Sequence, residues 1–417
     1  MRLALTRTIG VLLALVAATD LSAQKDRDVP RFRIDPYTRN DPKALEKLGY
    51  TSYAPIPFGQ RGTKAITSEE IDTHLDYAEI LWIETAHFRL GTTLENWAVP
   101  LDPDTKAKIR DELTRLKERS GLSRINPKTR VLDRWLRAHL FAQRLEEHYA
   151  EMLKWFGMTE EDFPADAEAR AKMTGRYAGE GPYLGQKDKY LFLLFERNTT
   201  YQDYLQAFIG RRTAGGQQWN FKDVDSLLYA CAADNPEEDG RLKDDSALHG
   251  HVIHALTHNL INGFLHYNYD LPVWMREGPA HWFERRISPR FNSFTRSEGA
   301  AMLQNRQWRW EIETRKLLGN EKFAPFTELM TWRDFGQMDF PDHVMAWSRW
   351  DYLMSLGKEP FGVLMQKAKS LVDPTTGVMR GDVVEGCREA LREAYQLSPL
   401  TLDERWKEWV LESYPTR

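Results

Sequence analysis

The sequence predicts an α+β fold. Three observations lead there: short, dense apolar runs at 190–195 and 227–233, a helix-period pattern through 129–156, and almost unbroken helical periodicity from residue 246 to the end. With 417 residues, the chain is long enough for one large core with a supporting part, or for two or three cores. I/L/V/F-rich runs of four to eight residues bounded by turn formers fit buried strands better than helices.

In chain order, the first 23 residues carry Arg2 and Arg7, an apolar stretch from Ile9 to Ala18, and Leu21-Ser22-Ala23. A basic start, a short apolar run and small residues together predict a secretory signal cut after Ala23, and therefore export to the periplasm or the extracellular medium. The apolar run is short for a bilayer span, and no later charge-free stretch is long enough, so no stable membrane span is expected after signal removal. Residues 24–64, rich in Pro, Asp, Arg and Gly, are expected as an extended N-terminal arm. Residues 65–185 are expected as a mostly helical supporting region, with a strand at 81–90 and helices at 102–119 and 129–156. His139 and His148 fall in the second of these helices and read as packing histidines. The glycine-containing stretch 175–185 lacks a phosphate-loop lysine and reads as a flexible connection.

Residues 186–417 are expected to form the main domain. Strands at 190–195 and 227–233 precede loops at 211–216 and 235–245. Helices follow at 246–263, 278–287, 302–318, 344–356, 360–371, 383–395 and 402–414, with a loop at 291–296. The formal charge of −4 is spread evenly along the chain, which gives no electrostatic reason to expect nucleic acid as a partner. Cys231 and Cys387 are too few for a disulfide framework and read as two separate buried thiols.

The chemistry concentrates in 248–284. Six of the eleven histidines, His249, His251, His254, His258, His266 and His281, fall there. His254 and His258 are four apart, which on a helix puts both rings on one face, one turn apart. That spacing suits two imidazoles on one zinc ion. A third ligand is available in Glu277, before Gly278-Pro279 and the second helix, where a carboxylate can reach across to the first helix. Two neutral imidazoles and one carboxylate leave a position for substrate or water. A serine hydrolase is unmotivated, because no serine has a His–Asp grouping beside it.

These residues resemble the gluzincin zinc metallopeptidases, which carry His-Glu-x-x-His followed by Trp-x-x-Glu-Gly-x-Ala. Here the two segments read His254-Ala255-Leu256-Thr257-His258 and Trp274-Met275-Arg276-Glu277-Gly278-Pro279-Ala280, with the ligand spacing of the aminopeptidase branch. The resemblance extends more weakly over about 81–409. It implies a thermolysin-like scaffold with a short mixed sheet before a helical C-terminal part, His254, His258 and Glu277 as ligands, one zinc ion, and a peptide or protein in the cleft. It also exposes a departure. The glutamate that carries the proton in this clan is replaced by Ala255, and losing a general base typically costs a factor of roughly 100 to 10,000.

Three other groups, His251, His281 and Glu284, are candidates for the vacant role, and a fourth, His343, for a separate one. His251 shares the face of the two ligand histidines. His281 stands four residues after Glu277, near where relatives place a carboxylate that orients a ligand histidine. Glu284 is seven after Glu277. His343 stands where relatives place a tyrosine that steadies the reacting oxyanion. Three functions follow: an exported zinc-binding protein on a peptidase scaffold with impaired catalysis, an active zinc peptidase with a non-standard base, or a metal-free structural or peptide-binding protein.

Overall fold

The computed structural model describes residues 29–172, 179–294, 307–371, 373, 378 and 380–417. The expected signal segment at 1–23 and the first part of the expected 302–318 helix lie outside these residues. The fold is mixed, with helices packed around a six-stranded mixed sheet and two small two-stranded sheets beside it, as the α+β expectation has it.

The segment expected as an extended arm is folded from Arg31 onward, and its Pro and Gly residues punctuate short elements. Asp41 caps α1 (Pro42–Leu48) through the Ala44 amide, and Gly49 closes it in the left-handed conformation, φ 74°. Strand β1 (Tyr50–Tyr53) follows, then a hairpin of β2 (Pro57–Arg61) and β3 (Lys64–Thr67), and the short helix α2 (Ser68–His74).

Next come β4 (Leu81–Thr85), β5 (Phe88–Thr92), β6 (Trp97–Ala98), α3 (Pro103–Ser120), β7 (Val131–Leu132), α4 (Arg134–Phe156) and α5 (Ala167–Lys172). The helix expected from 129 starts at 134 because Asp133 caps it through the Leu136 amide, while 131–132 pair with 97–98. Strand β8 (Tyr190–Phe195), helix α6 (Asn198–Tyr204), β9 (Gln217–Phe221) and β10 (Ser226–Ala232) complete the sheet. The strand at 217–221 was not anticipated, since Gln-Gln-Trp-Asn-Phe has no apolar run.

The six main strands run in the order β1-β4-β5-β8-β10-β9. β5, β8 and β10 are parallel, and the outer pairings are antiparallel. Because β5 pairs with β8, the sheet runs continuously across the expected division at 185/186. Successive side chains of β8 point to opposite faces. Phe192 and Leu194 pack in the larger core beneath the helices. Leu191, Leu193 and Phe195 pack in a second core closed by Phe58, Ile71 and Tyr204. Burial on both faces is why this strand reads as an unbroken apolar run.

The metal-site segment lies in α7 (Asp245–Gly263) and α8 (Trp274–Ile287). Asp244 caps α7 by accepting from the Ser246 and Ala247 amides. Its C-terminal carbonyls are held by side chains: Gln186 donates to Gly263 at 2.7 Å, and Lys369 donates to Asn262 at 2.8 Å. The loop after it is pinned as well. Leu265 donates to the Leu184 carbonyl at 2.8 Å, so the described part of the expected flexible connection, from Gly179, is a fixed turn. Helix α8 begins a turn earlier than the expected 278. The Arg276 and Glu277 amides already bond the Val273 carbonyl, which places Pro279 inside the helix.

The chain ends in α9 (Trp310–Gly319), α10 (Phe326–Leu329), α11 (Phe340–Ser355), α12 (Lys358–Ser370), α13 (Val383–Tyr395) and α14 (Pro399–Ser413). Trp350 of α11 lies against α8, its indole donating to the Trp274 carbonyl at 2.7 Å. Trp406 docks α14 onto Ser348 at 3.0 Å. Cys231 and Cys387 are buried and unpaired. Among the described residues no helix is long and apolar enough to cross a membrane.

Candidate metal centre and its cleft

Two helices bring the site together. The i, i+4 spacing on α7 sets His254 and His258 side by side, with ring centroids 4.9 Å apart. Glu277, in the first part of α8, meets them from the facing helix. His258 Nε2 is 3.0 Å from Glu277 Oε1, and His254 Nε2 is 3.7 Å from Oε2. All three residues are buried, and their ligand atoms lie close enough together to hold one metal ion.

The polar bookkeeping fits such an ion. Neither Glu277 oxygen nor His258 Nε2 makes a well-directed hydrogen bond, although the oxygen and nitrogen are in contact. Buried polar atoms are rarely left this way without water or an ion to satisfy them. The protonation states also fit. Burial pushes His258 down to about 4 and outweighs the pull of Glu277, so its nitrogen lone pair is available. Burial works against an ionised Glu277, but His258, His281 and His254 outweigh it and hold the carboxyl well below its usual range. Neutral imidazole and ionised carboxylate are the forms a metal requires.

A second carboxylate organises the imidazoles from behind. Glu284 Oε2 lies 3.1 Å from His254 Nδ1 and 3.3 Å from His281 Nδ1, and Ser293 Oγ donates to Oε1 at 2.5 Å. Glu284 is therefore engaged with the far side of His254 and with a loop serine. His281 Nε2 points back to Glu277 Oε2 at 3.3 Å. Burial alone would lower His281, but its contacts with Glu277 and Glu284 raise it.

His343, in the first turn of α11, is fully buried and not solvated at the helix start. Its Nδ1 is 3.0 Å from His281 Nε2 and 3.7 Å from Glu277 Oε2. Burial, with His281 beside it, pushes it down to about 3. His251 stands apart from these groups. Its Nε2 meets the Tyr229 hydroxyl at 2.5 Å and its Nδ1 meets Ser293 Oγ at 3.0 Å. Burial lowers it too.

A cavity of about 670 Å³ opens onto the pair, lined among others by His251, His254, Ala255 and His258 of α7 and by Gln217 and Gln218 of β9. Ala255 faces this space, and its carbonyl accepts from Gln218 Nε2 at 3.1 Å. Tyr269 and Phe335 form another wall. The Arg276 guanidinium lies against both rings, 4.6 and 4.4 Å from their centroids. Ser293, Tyr229 and the β9 glutamines were not anticipated. The glutamines come from an edge strand and Ser293 from a loop, neither with any periodicity, while Tyr229 sits in the interior strand β10, whose apolar run gives no sign of a polar contact.

No known protein family, curated protein or solved structure matches the chain.

Proposed function

We propose that the chain is an exported zinc-binding protein on a gluzincin-like metallopeptidase scaffold, with peptide hydrolysis lost or very slow and a peptide or protein segment held in the cleft. The observation that carries this reading is the convergence of His254, His258 and Glu277 beside a cavity whose wall has Ala255 where the clan has its proton carrier. A mixed sheet whose antiparallel edge strand β9 borders the same cavity supports the scaffold. Export rests on the signal-like residues 1–23.

His254, His258 and Glu277 would hold the ion, and zinc there supplies Lewis acidity toward a substrate carbonyl or water. The chain's own residues do the remaining work. Glu284 fixes the His254 ring and its tautomer through Nδ1. Tyr269 and Phe335 offer apolar surface beside His258, and the edge of β9 offers an extended segment polar groups to pair with. Ala255 can neither take nor give a proton.

A second reading, an active peptidase, is favoured by one observation. His251 borders the cavity in a short contact with Tyr229, so a neutral imidazole is present near the vacant position. Hydrolysis of a mixed peptide substrate by wild type and Ala255→Glu separates the two. The preferred reading expects little or no wild-type turnover and a gain of roughly 100- to 10,000-fold in the variant. An ordinary wild-type rate that is lost in His251→Ala would support the second reading instead.

A further inference from the structure

We propose that His281 and His343 form, with the same Glu277 carboxylate, a second cation site, so that the protein binds a pair of divalent transition-metal ions bridged by Glu277. This inference rests on the metal-binding reading above and extends it from one ion to two.

The geometry is specific. The facing atoms are His281 Nε2, His343 Nδ1 and Glu277 Oε2, and their separations are 3.0, 3.3 and 3.7 Å. Tetrahedral zinc with bonds near 2.0 to 2.1 Å puts neighbouring ligand atoms roughly 3.3 Å apart. The three separations scatter about that value. All three residues are fully buried, and their atoms satisfy the same proximity as those of His254, His258 and Glu277.

Both carboxylate oxygens are engaged. Oε1 is the closer to His258, and Oε2 is the closer to His281 and His343 and also faces His254 at 3.7 Å, so the carboxylate stands between the two histidine pairs. A bridging carboxylate holds paired ions about 3.5 to 4 Å apart. Glu284 supports both sites from the other side. It contacts Nδ1 of both His254 and His281, so each ring presents its Nε2 towards Glu277. One buttress thus orients one imidazole for each ion, the arrangement expected of metal-bound histidines. Two imidazoles and a shared carboxylate give the second site nitrogen-rich donors that suit zinc, cobalt or nickel and not magnesium or calcium, with His281 releasing to solvent the proton on Nε2 as the ion binds.

The test counts ions. Metal-stripped full-length protein is equilibrated with zinc, freed of excess by gel filtration and assayed by elemental mass spectrometry, for wild type, His281→Asn and His343→Asn. Circular dichroism checks that the variants fold. Two zinc ions per wild-type chain and one in each variant are expected. One ion per wild-type chain would overturn the second site and leave the first standing, whereas none would overturn both. Two ions in wild type that persist in both folded variants would place the second ion elsewhere and overturn the assignment. A wild-type count of one overturns the second site even if neither variant folds, and His281→Gln and His343→Gln then serve as the second pair of variants that locate a second ion.

Discussion

Glu284 Oε2 sits 3.1 Å from Nδ1 of His254, with both residues buried and the opposite ring nitrogen turned to Glu277. A carboxylate in that position keeps the proton on Nδ1 and leaves Nε2 free to bind a cation. Glu284→Gln keeps the shape but removes the charge. It is expected to weaken zinc binding by about 10- to 100-fold. Competition with a chromophoric chelator reads this directly, and an unchanged affinity would show that Glu284 has no part in holding the ligand.

The glycine after Glu277 is explained by packing. A Cβ at Gly278 would lie 1.7 Å from Trp350 Cδ1, where α11 presses on α8. Gly278→Ala is expected to cost about 1 to 3 kcal/mol through overpacking. Urea unfolding measures it. Combining it with Trp350→Phe is expected to recover part of the loss, and a stability equal to wild type in the single variant would contradict the close approach.

His148 makes stability pH-dependent. Burial pushes it down to about 4, and its Nε2 meets Thr257 Oγ1 at 2.9 Å, beside His258 in sequence. In the unfolded chain it titrates near 6.5. As pH falls from about 6.5 to 4 the unfolded state takes up a proton that the folded state refuses, so stability is lost in that window and is fully present above it. The contribution is about 3 kcal/mol at most. His148→Gln is expected to flatten this acid limb in urea melts of metal-stripped protein. Identical slopes for the two proteins would remove His148 as a cause.

Much of this arrangement is legible in the residues, and the remainder is hidden for physical reasons. The i, i+4 histidines report a helix face directly, so α7 and its two candidate ligands are foreseeable. The dense runs at 190–195 and 226–232 report strands buried on both faces. By contrast, β9 is an edge strand with glutamines towards the cleft, and it shows no alternation strong enough to detect. The segment 24–64 misleads because its prolines and glycines mark the ends of short elements, as Asp41-Pro42 and Gly49 do around α1, and not a continuous arm. Pro279 misleads in the same way, since α8 gains its first turn from Val273 and carries the proline inside. The contact of His343 with His281 joins residues 62 positions apart and depends on how α11 packs, which no local pattern encodes.

The most direct test of the metal centre is the zinc content of purified full-length protein after exhaustive dialysis, compared with the His254→Ala/His258→Ala double variant. The account predicts at least one tightly held zinc per wild-type chain and loss of the ion nearest α7 in the double variant, with the fold retained by circular dichroism. Wild-type protein without zinc, or a folded double variant with an undiminished content, would contradict it.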